Sequence, residues 1–346
     1  MRQMKQTLVL TGDMNFKGVV DSKVPFAQLA PVLKNADVVF GNLECCFFDK
    51  PGHNPAEREG FFASPISAEA LVHAGFDAVG HANNVTFGEE PILATIARLD
   101  ELGIKHTGAG RNTHEATAPA IVKNAGAQFG FLQRTSAYWP KNQEAQKSAV
   151  GVAVLKAHTA YRPHLDDKAP NRPGIPPEVI TWADSDYLKV YREQVAALAR
   201  DVDIAVTSHH WGYKEDVLDY QKEIAHTAID AGAKIVMGHG PHMPLGIEIY
   251  NGRPIFYGMG NFSFDIGHRA KHGNWIGTFA TVEIEDGELS EISLQLVRHN
   301  EANETYLCTP GEEPEETENI LSRSKYLGTD LSVEDSRILV WKSDSV

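Results

Sequence analysis

The sequence has little of what a membrane-bound or secreted protein needs. No apolar run approaches the length of a membrane span. The N-terminal segment MRQMKQTLVLTGDMN carries only the short apolar stretch TLVL and no cleavage-type region, unlike a signal peptide. The 346 residues include three cysteines, and two of these, Cys45 and Cys46, are adjacent, which disfavours a disulfide between them. We therefore predict a cytoplasmic protein with no membrane partner.

The sequence also lacks the positive charge of a nucleic-acid-binding protein. The formal net charge is −14, so we expect no nucleic acid among its partners. Part of the acidity is local, because GEEPEETEN (311–319) is typical of a solvated loop. We find no internal repeat.

What is present is a recurring unit: a short apolar strand that ends in small or polar residues and precedes or follows a helical stretch. This alternation predicts a mostly parallel sheet covered on both faces. Asn251-Gly252 and Asp286-Gly287 predict antiparallel hairpins near the C-terminus, which a second sheet would accommodate. We predict a loop insertion at about 140–186. The strands that end in polar residues are TLVLTGD (7–13), ADVVFGNLE (36–44), FDAVGHANN (76–84), DIAVTSHHWG (203–212) and AKIVMGHGPH (233–242).

The carboxyl ends of these five strands carry carboxylate, amide and imidazole groups. Ligands bind beyond the carboxyl ends of strands in open parallel sheets, so these groups are expected at one edge. Imidazole suits Zn, Fe or Mn, and carboxylate suits harder ions, so the set indicates one or two divalent metals. Each group alone has a simpler explanation, since Asp13 resembles a turn former and Asn83-Asn84 a turn signal. Their joint occurrence favours a metal site, with His239 and His242 on one stiff turn.

Several motifs, in this order, resemble those of the poly-gamma-glutamate capsule-synthesis (CapA-type) family of the calcineurin-like metallophosphoesterase superfamily. The resemblance spans about residues 5 to 298 and implies a four-layered α/β/β/α sandwich over residues 1–300. Residues 301–346 would form a C-terminal extension that packs on or trails from this domain. The matching motifs are GDMN (12–15), NLE (42–44), GFDAVGHANN (75–84), GAGRN (108–112), HWG (210–212), DAGAKIVMGHGPH (230–242) and GRPIFYGMGNFSFD (252–265).

The resemblance implies a dinuclear site that activates water, with Mn, Fe or Zn as the expected divalent ions. Asp13 and His242 would bind the first metal, and Glu44 would bridge the pair. The residues implied for the second metal are Asn84, His210 and His239.

Two positions depart from the pattern that the resemblance implies. Superfamily phosphoesterases usually carry His two residues after the first Asp, where this sequence has Asn15. The family usually has His after Asn84, where this sequence has Val85. Because that His protonates the leaving group or steadies the attacked centre, ordinary phosphoester hydrolysis is in question. His81 or His209 would take over general-acid catalysis, or the protein would bind metal and catalyse slowly or not at all.

Further residues are candidates for binding an anionic substrate. Arg134 suits a carboxylate or phosphate, although a solvated Arg is about as good an explanation. We also predict the loop around His268 and His272 as a contact for an anion. The remaining substrate-binding candidates are Asn15, Tyr138, Tyr213 and Asn261.

The leading hypothesis is a metal-dependent hydrolase that cleaves a phosphoester or a gamma-glutamyl amide in a small substrate or a polyglutamate-like chain. One alternative is a non-catalytic, metal-binding accessory of capsule or polyglutamate assembly. Another is a metal-dependent module that binds an anionic ligand without turnover. The sequence does not determine the oligomeric state.

Overall fold

The structure is a computed structural model that describes residues 5–49, 62–124, 126–163, 174–264 and 275–343. The strands in these residues are β1 (Lys5–Asn15), β2 (Val38–Leu43), β3 (Cys46–Phe47), β4 (Phe62–Ala63), β5 (Ala78–Gly80), β6 (Lys105–Thr107), β7 (Ala109–Gly110), β8 (Ala120–Asn124), β9 (Ala127–Thr135), β10 (Gly151–Val152), β11 (Ala157–Arg162), β12 (Glu178–Ala183), β13 (Ile204–His210), β14 (Ile235–His239), β15 (Ile247–Tyr250), β16 (Arg253–Phe256), β17 (Asn261–Phe264), β18 (Gly277–Glu285), β19 (Glu288–His299), β20 (Thr305–Cys308), β21 (Ser332–Val333) and β22 (Ile338–Lys342). The helices are α1 (Ala30–Leu33), α2 (Glu69–Ala74), α3 (Glu89–Glu101), α4 (Thr113–Thr117), α5 (Ser185–Asp201), α6 (Asp219–Asp230) and α7 (Pro314–Tyr326).

The first large sheet has the strand order β21-β22-β19-β18-β1-β2-β5-β6, with β17 paired to β1 and β20 paired to β19. Strands β1, β2, β5 and β6 pair in parallel, while β18 and β19 join them in antiparallel fashion. At the end of β1, Asp13 lies opposite Asn42 of β2 and opposite Asn261 of β17. This register brings the polar ends of three strands together.

The second large sheet has the order β15-β16-β14-β13-β9-β8. Its four central strands, β9, β13, β14 and β16, are parallel, and the two edge strands are antiparallel to their neighbours. His210 at the end of β13 lies opposite His239 at the end of β14. The carboxyl ends of the parallel strands therefore deliver imidazoles to one edge of this sheet too.

The two sheets pack face to face through alternate apolar residues of their strands. Phe40 and Phe131 stack across this interface with ring centroids 4.4 Å apart. A second apolar cluster covers the outer face of the first sheet with helices that include α2 and α3, and a third covers the outer face of the second sheet with α5 and α6. The predicted four-layered α/β/β/α sandwich is thus confirmed.

Helix α5 covers part of the outer face of the second sheet. Its N-terminus is capped by Asp184, whose side chain accepts hydrogen bonds from the backbone of Asp186 and Tyr187. Tyr191, Val195 and Leu198 recur at helical spacing and are buried against the second sheet. The opposite side of α5 faces solvent.

Both large sheets contain a run of strands that pair in parallel, as predicted, and antiparallel strands beside them make both sheets mixed. Two of the antiparallel pairs, β15–β16 and β18–β19, are hairpins that the sequence marked. Asn251 and Gly252 have φ of 49° and 73°, and Asp286 and Gly287 have φ of 52° and 82°, which are the positive values that tight hairpin turns require. One hairpin, β15–β16, joins the second sheet, while the other, β18–β19, joins the first.

The predicted insertion and extension both contain regular structure. In the described part of 140–186, β11 and β12 pair as an antiparallel ribbon. From the extension, β20 and β22 pair with β19, and Ile320 and Ile338 are buried in the core between the sheets. The division into a domain and an extension stays a prediction. Within the described residues, none of the helices has the length and apolar character needed to cross a membrane.

Candidate metal centre

A cluster of carboxylates and imidazoles lies where the ends of both sheets meet. The register of β1 shifts between Thr11 and Asp13, and this irregularity places Asp13 beside the end of β2. The backbone N–H of Asp13 donates to Gly260 O at 2.9 Å. Gly12 is required here, because a Cβ at this position would lie 2.1 Å from Gly260 O. The close approach of two backbones thus fixes the position of Asp13.

Three of the predicted ligands converge. Asp13, Glu44 and His242 each offer one ligand atom, and these atoms all lie within 4.8 Å of one another. Asp13 Oδ2 is 3.7 Å from His242 Nδ1, and Glu44 Oε1 is 3.6 Å from His242 Nε2. Such a set of two oxygens and one imidazole nitrogen suits a divalent cation.

The turn from His239 to His242 brings two imidazoles to Asp13. His239 Nδ1 lies 3.0 Å from Asp13 Oδ1, and the N–H of Gly240 donates to Asp13 Oδ2 at 3.4 Å. Gly240 has φ of 113°, and a Cβ there would lie 2.6 Å from Trp211 O, so only glycine fits. His242 itself has φ of 58°, a left-handed value that the turn requires and that non-glycine residues adopt less often.

The substrate-binding candidate Asn261 and the ligand candidates His210 and Asn84 lie at different distances from this triad. Asn261 Oδ1 lies 2.8 Å from His242 Nδ1, so Asn261 contacts a predicted ligand directly. His210 is buried beside Gly240. Its Nε2 lies 3.4 Å from the position that a Cβ on residue 240 would occupy. Asn84 is half-buried, and its backbone oxygen accepts hydrogen bonds from Trp139 Nε1 and Gln143 Nε2 at 3.0 and 3.2 Å. The role of Asn84 as a ligand stays a prediction.

The burial of two carboxylates close together is electrostatically unfavourable, and a bound cation would offset this cost. Burial, together with the negative charge of Asp13, raises the pKa of Glu44 well above its usual range. Burial acts in the same direction on the pKa of Asp13, but close contact with His239 and the nearby His242 and His210 lower it to about 2. Among the described residues, neither carboxylate pairs with a lysine or arginine.

Unpaired polar atoms inside the cluster give an independent test of whether a metal fits. Glu44 Oε2, His239 Nε2, His210 Nδ1 and Asn261 Nδ2 are buried without a hydrogen-bond partner in the described part of the chain. Buried polar atoms normally have a hydrogen-bond partner, so several unpartnered atoms in one place indicate a site for a bound group. Oxygen and imidazole donors are also the right chemistry for a divalent ion. The residues therefore fit a divalent metal ion.

A hydrogen-bonded chain that the sequence patterns did not predict supports Asp13 from behind. Gln133 Nε2 donates to Asn42 Oδ1 at 2.8 Å, and Asn42 Nδ2 donates to Asp13 Oδ1 at 2.8 Å. Gln133 also accepts from the backbone of Ala82. The alternation of side chains along β9 did indicate that Gln133 faces the core, because Gln133 shares a strand face with the core residues Phe129 and Phe131.

The two candidate general acids have different surroundings. His81 is buried, and its Nε2 lies 3.2 Å from Cys45 O, directly after Glu44 in the chain. Burial lowers the pKa of His81 to about 3. His209 faces the opposite side of β13 from His210: it stacks on Trp211, with centroids 4.6 Å apart, and its Nε2 is 2.8 Å from Tyr191 Oη. The structure brings neither imidazole into the triad.

Arg134 also lies on the outer face of the second sheet. Its guanidinium donates to the backbone oxygens of Gln133 and Thr117 and to Gln194 Oε1 of α5, at 2.7, 3.2 and 2.6 Å. Because Gln133 points toward Asp13, its neighbour Arg134 points away from it. Arg134 and the triad therefore lie on opposite sides of the second sheet.

The remaining candidates are dispersed. Asn15 donates to Glu44 O at 2.6 Å and accepts from the N–H of Lys17, so it holds the backbone beside the triad. Val85 is buried, Tyr138 is half-buried against an apolar cluster, and Tyr213 is 71% exposed. His268 and His272 lie outside the described residues.

Two packed mixed sheets with a carboxylate–imidazole triad at the strand ends define a mixed α/β protein with a possible metal site. The chain belongs to the family described as bacterial capsule synthesis protein PGA_cap, which matches residues 4–266. The resemblance noted in the sequence is thereby confirmed.

Individual relatives are moderately similar to this chain. An uncharacterized protein of Sinorhizobium fredii is 29% identical over 305 residues, covering 75% of this chain and 66% of its own. The PGA biosynthesis protein CapA of Bacillus subtilis is 28% identical over 248 residues, covering 70% of this chain and 57% of its own. The chain thus spans two thirds or less of these relatives. A solved structure, described as a novel phosphatase of Mycoplasma pneumoniae, is 12% identical with a TM-score of 0.48, covering 86% of this chain and 94% of that one.

Proposed function

We propose that the protein is a metal-dependent hydrolase whose centre is formed by Asp13, Glu44 and His242, together with His239 and His210. The observation that carries this proposal is the pair of buried, closely spaced carboxylates that contact imidazoles but have no lysine or arginine partner among the described residues. Bound there, divalent metal ions would polarise a substrate oxygen and lower the pKa of a bound water. That the centre binds two metal ions is also part of this proposal.

The chain's own residues would prepare this centre. Asn42 and the N–H of Gly240 hold the two oxygens of Asp13, so the carboxylate has a fixed orientation. Asp13 and His239 are fully buried, whereas the His242 side chain is 24% exposed, so a substrate would approach from the side of His242. A fixed, water-poor ligand set of this kind supports charge development at a reacting centre.

The substrate class is a phosphoester or a gamma-glutamyl amide, in a small molecule or a polyglutamate-like chain. The role for which the CapA relatives are named, PGA or capsule biosynthesis, favours the second class. Because the chain covers only part of those relatives, we state only as a proposal that it shares their roles. The cytoplasmic location and the lack of nucleic-acid and membrane partners also stay predictions.

A non-catalytic accessory role is the second candidate, and Asn15 favours it. Its amide holds the backbone of Glu44 and Lys17, and an amide cannot protonate a leaving group as the usual His would. Val85, at the other departing position, is buried and apolar. An accessory would keep the metal without turnover.

Elemental analysis of the reconstituted protein, followed by assays with phosphoesters and gamma-glutamyl amides, tests the proposal. We expect bound Mn, Fe or Zn and metal-dependent turnover that Asp13→Asn abolishes. The matched control is Asp201→Asn, the same change at an exposed position at the end of α5. Metal without turnover of either class would support the accessory role. No metal after reconstitution would refute both.

A further inference from the structure

A cavity lies on the outer face of the second sheet, beneath helix α5. It has a volume of about 310 Å³. Arg134 and Tyr191 form its buried floor, while Val190, which is 52% exposed, lies at its rim. The size is at the lower end of the range of small-molecule sites. The cavity is open to solvent and leads to a buried cation.

That cation has only neutral partners among the described residues. Arg134 is 2% exposed, and it donates to two backbone oxygens and to the amide oxygen of Gln194. A guanidinium has five N–H donors, so these three bonds leave donor capacity unused. Burying a charge without an opposite charge is costly, so the position favours an anion supplied from outside.

The cavity is separate from the metal centre. The side chain of Gln133 reaches the Asn42–Asp13 pair between the sheets, while that of Arg134, one residue later, reaches α5. The second sheet itself lies between the two sites. An anion on Arg134 would not touch Asp13, Glu44 or His242.

The charges around the cavity limit what the anion can be. Glu144 lines it, but this carboxylate already pairs with Lys156 Nζ at 3.2 Å and accepts from Tyr187 Oη. Asp186 lines the cavity at its exposed rim. One available cation with carboxylates nearby disfavours a phosphate dianion. A single carboxylate on Arg134 balances the buried charge, and a ligand ammonium group would complement Asp186.

We propose that this cavity binds a small amino acid whose ammonium group is remote from its carboxylate, with the carboxylate on Arg134 and the ammonium group toward Asp186, because Asp186 precedes Gln194 by about two turns of α5. The carboxylate would complete the hydrogen bonding of the guanidinium. The methylene or ring portion would pack on the apolar wall formed by Val152, Val154 and Leu155. This inference does not depend on the proposed hydrolase function.

Calorimetric titration of the full chain with each of the free amino acids, and with inorganic phosphate, tests this inference. We expect at least one amino acid to bind, and its analogue without the amino group to bind more weakly. Arg134→Gln should weaken binding at least about tenfold, because it removes a charge-assisted hydrogen bond. Val190→Trp should weaken it similarly by filling the rim without touching the floor, so the test stands even if Arg134→Gln does not fold.

Two controls locate the ligand. Val72→Trp makes the same change at a position on α2 that is 44% exposed, and it should leave the affinity within about twofold. His239→Ala, at the metal centre, should do the same. The proposal is overturned if no amino acid binds, if phosphate alone binds, if Val190→Trp binds normally, or if binding requires His239.

Discussion

The two faces of the second sheet use neighbouring residues for opposite purposes. On the inner face, His210 and Gln133 lie toward Asp13, as part of or behind the candidate metal centre. On the outer face, their chain neighbours His209 and Arg134 are fixed by the α5 residues Tyr191 and Gln194. Side chains alternate along a strand, so one residue of separation decides whether a side chain faces the candidate metal centre or the proposed ligand cavity.

The faces also differ in the charge that they leave unbalanced. In the described residues, two carboxylates at strand ends of the first sheet, Asp13 and Glu44, are buried on the side of the inner face without a lysine or arginine partner, whereas the outer face buries a guanidinium without a carboxylate partner. A cation would complete the first site and an anion the second. The sheet keeps these two requirements apart.

Metal affinity gives the largest expected contrast between the faces. Glu44→Gln or His242→Ala should lower the affinity for Mn or Zn by more than about 100-fold, because outer-shell changes alone cost up to that much. His209→Leu, on the outer face, should leave it within about twofold. Titration with a competing chelator measures all three. An equal loss in His209→Leu would show that the faces are not separate.

The adjacent pair Gln133 and Arg134 sharpens the comparison. Gln133→Met removes the donor that holds Asn42 against Asp13, so metal affinity should fall by about 10- to 100-fold. Arg134→Gln should leave metal affinity unchanged while it removes ligand binding in the cavity. If Gln133→Met binds metal normally, the chain of hydrogen bonds does not position Asp13.

The smallest expected effect is on stability at acidic pH, without metal. Burial lowers the pKa of His81 and of His210 to about 3, and it lowers that of His209 well below the usual range. The unfolded chain binds these protons below about pH 6.5 while the folded chain does not, so the free energy of unfolding falls as pH falls from 6.5 toward 3.

The outer imidazole can be isolated in this experiment. His209→Leu should reduce the loss of stability between pH 7.5 and 5.5 by about 1.4 kcal/mol, the contribution of one such group. Urea unfolding at each pH measures it. An unchanged pH dependence would mean that His209 is not held neutral by its buried contacts with Tyr191 and Trp211.

Much of the fold could be predicted from the sequence because its signals are local. Apolar runs followed by polar residues indicated where strands end. The pairs Asn251-Gly252 and Asp286-Gly287 indicated the hairpins. The choice of sheet for each hairpin could not be predicted, since it depends on long-range pairing. That is why the sequence indicated a second sheet for the antiparallel strands, whereas one hairpin joins each of the two large sheets.

The site was predictable to the extent that ligands sit at strand ends. Asp13, Glu44 and His242 converge into a triad whose ligand atoms suit a divalent cation, while their binding of a metal stays a prediction. Arg134 was predicted to bind the same substrate. Because it is adjacent to Gln133 on β9, its side chain points to the outer face of the second sheet instead. Gln133 and Asn42 were missed as supports because a buried amide in an apolar strand gives no sign of its partner until the sheets are packed.

The most direct test of the central claim is a crystal structure of the protein soaked with Mn or Zn, with data collected at the metal's absorption edge. We predict an anomalous peak about 2.0–2.6 Å from ligand atoms of Asp13, Glu44 and His242. A peak near His239 and His210 as well would establish the dinuclear site. A fully soaked crystal with no peak at the triad would contradict the claim that the inner face is a metal centre.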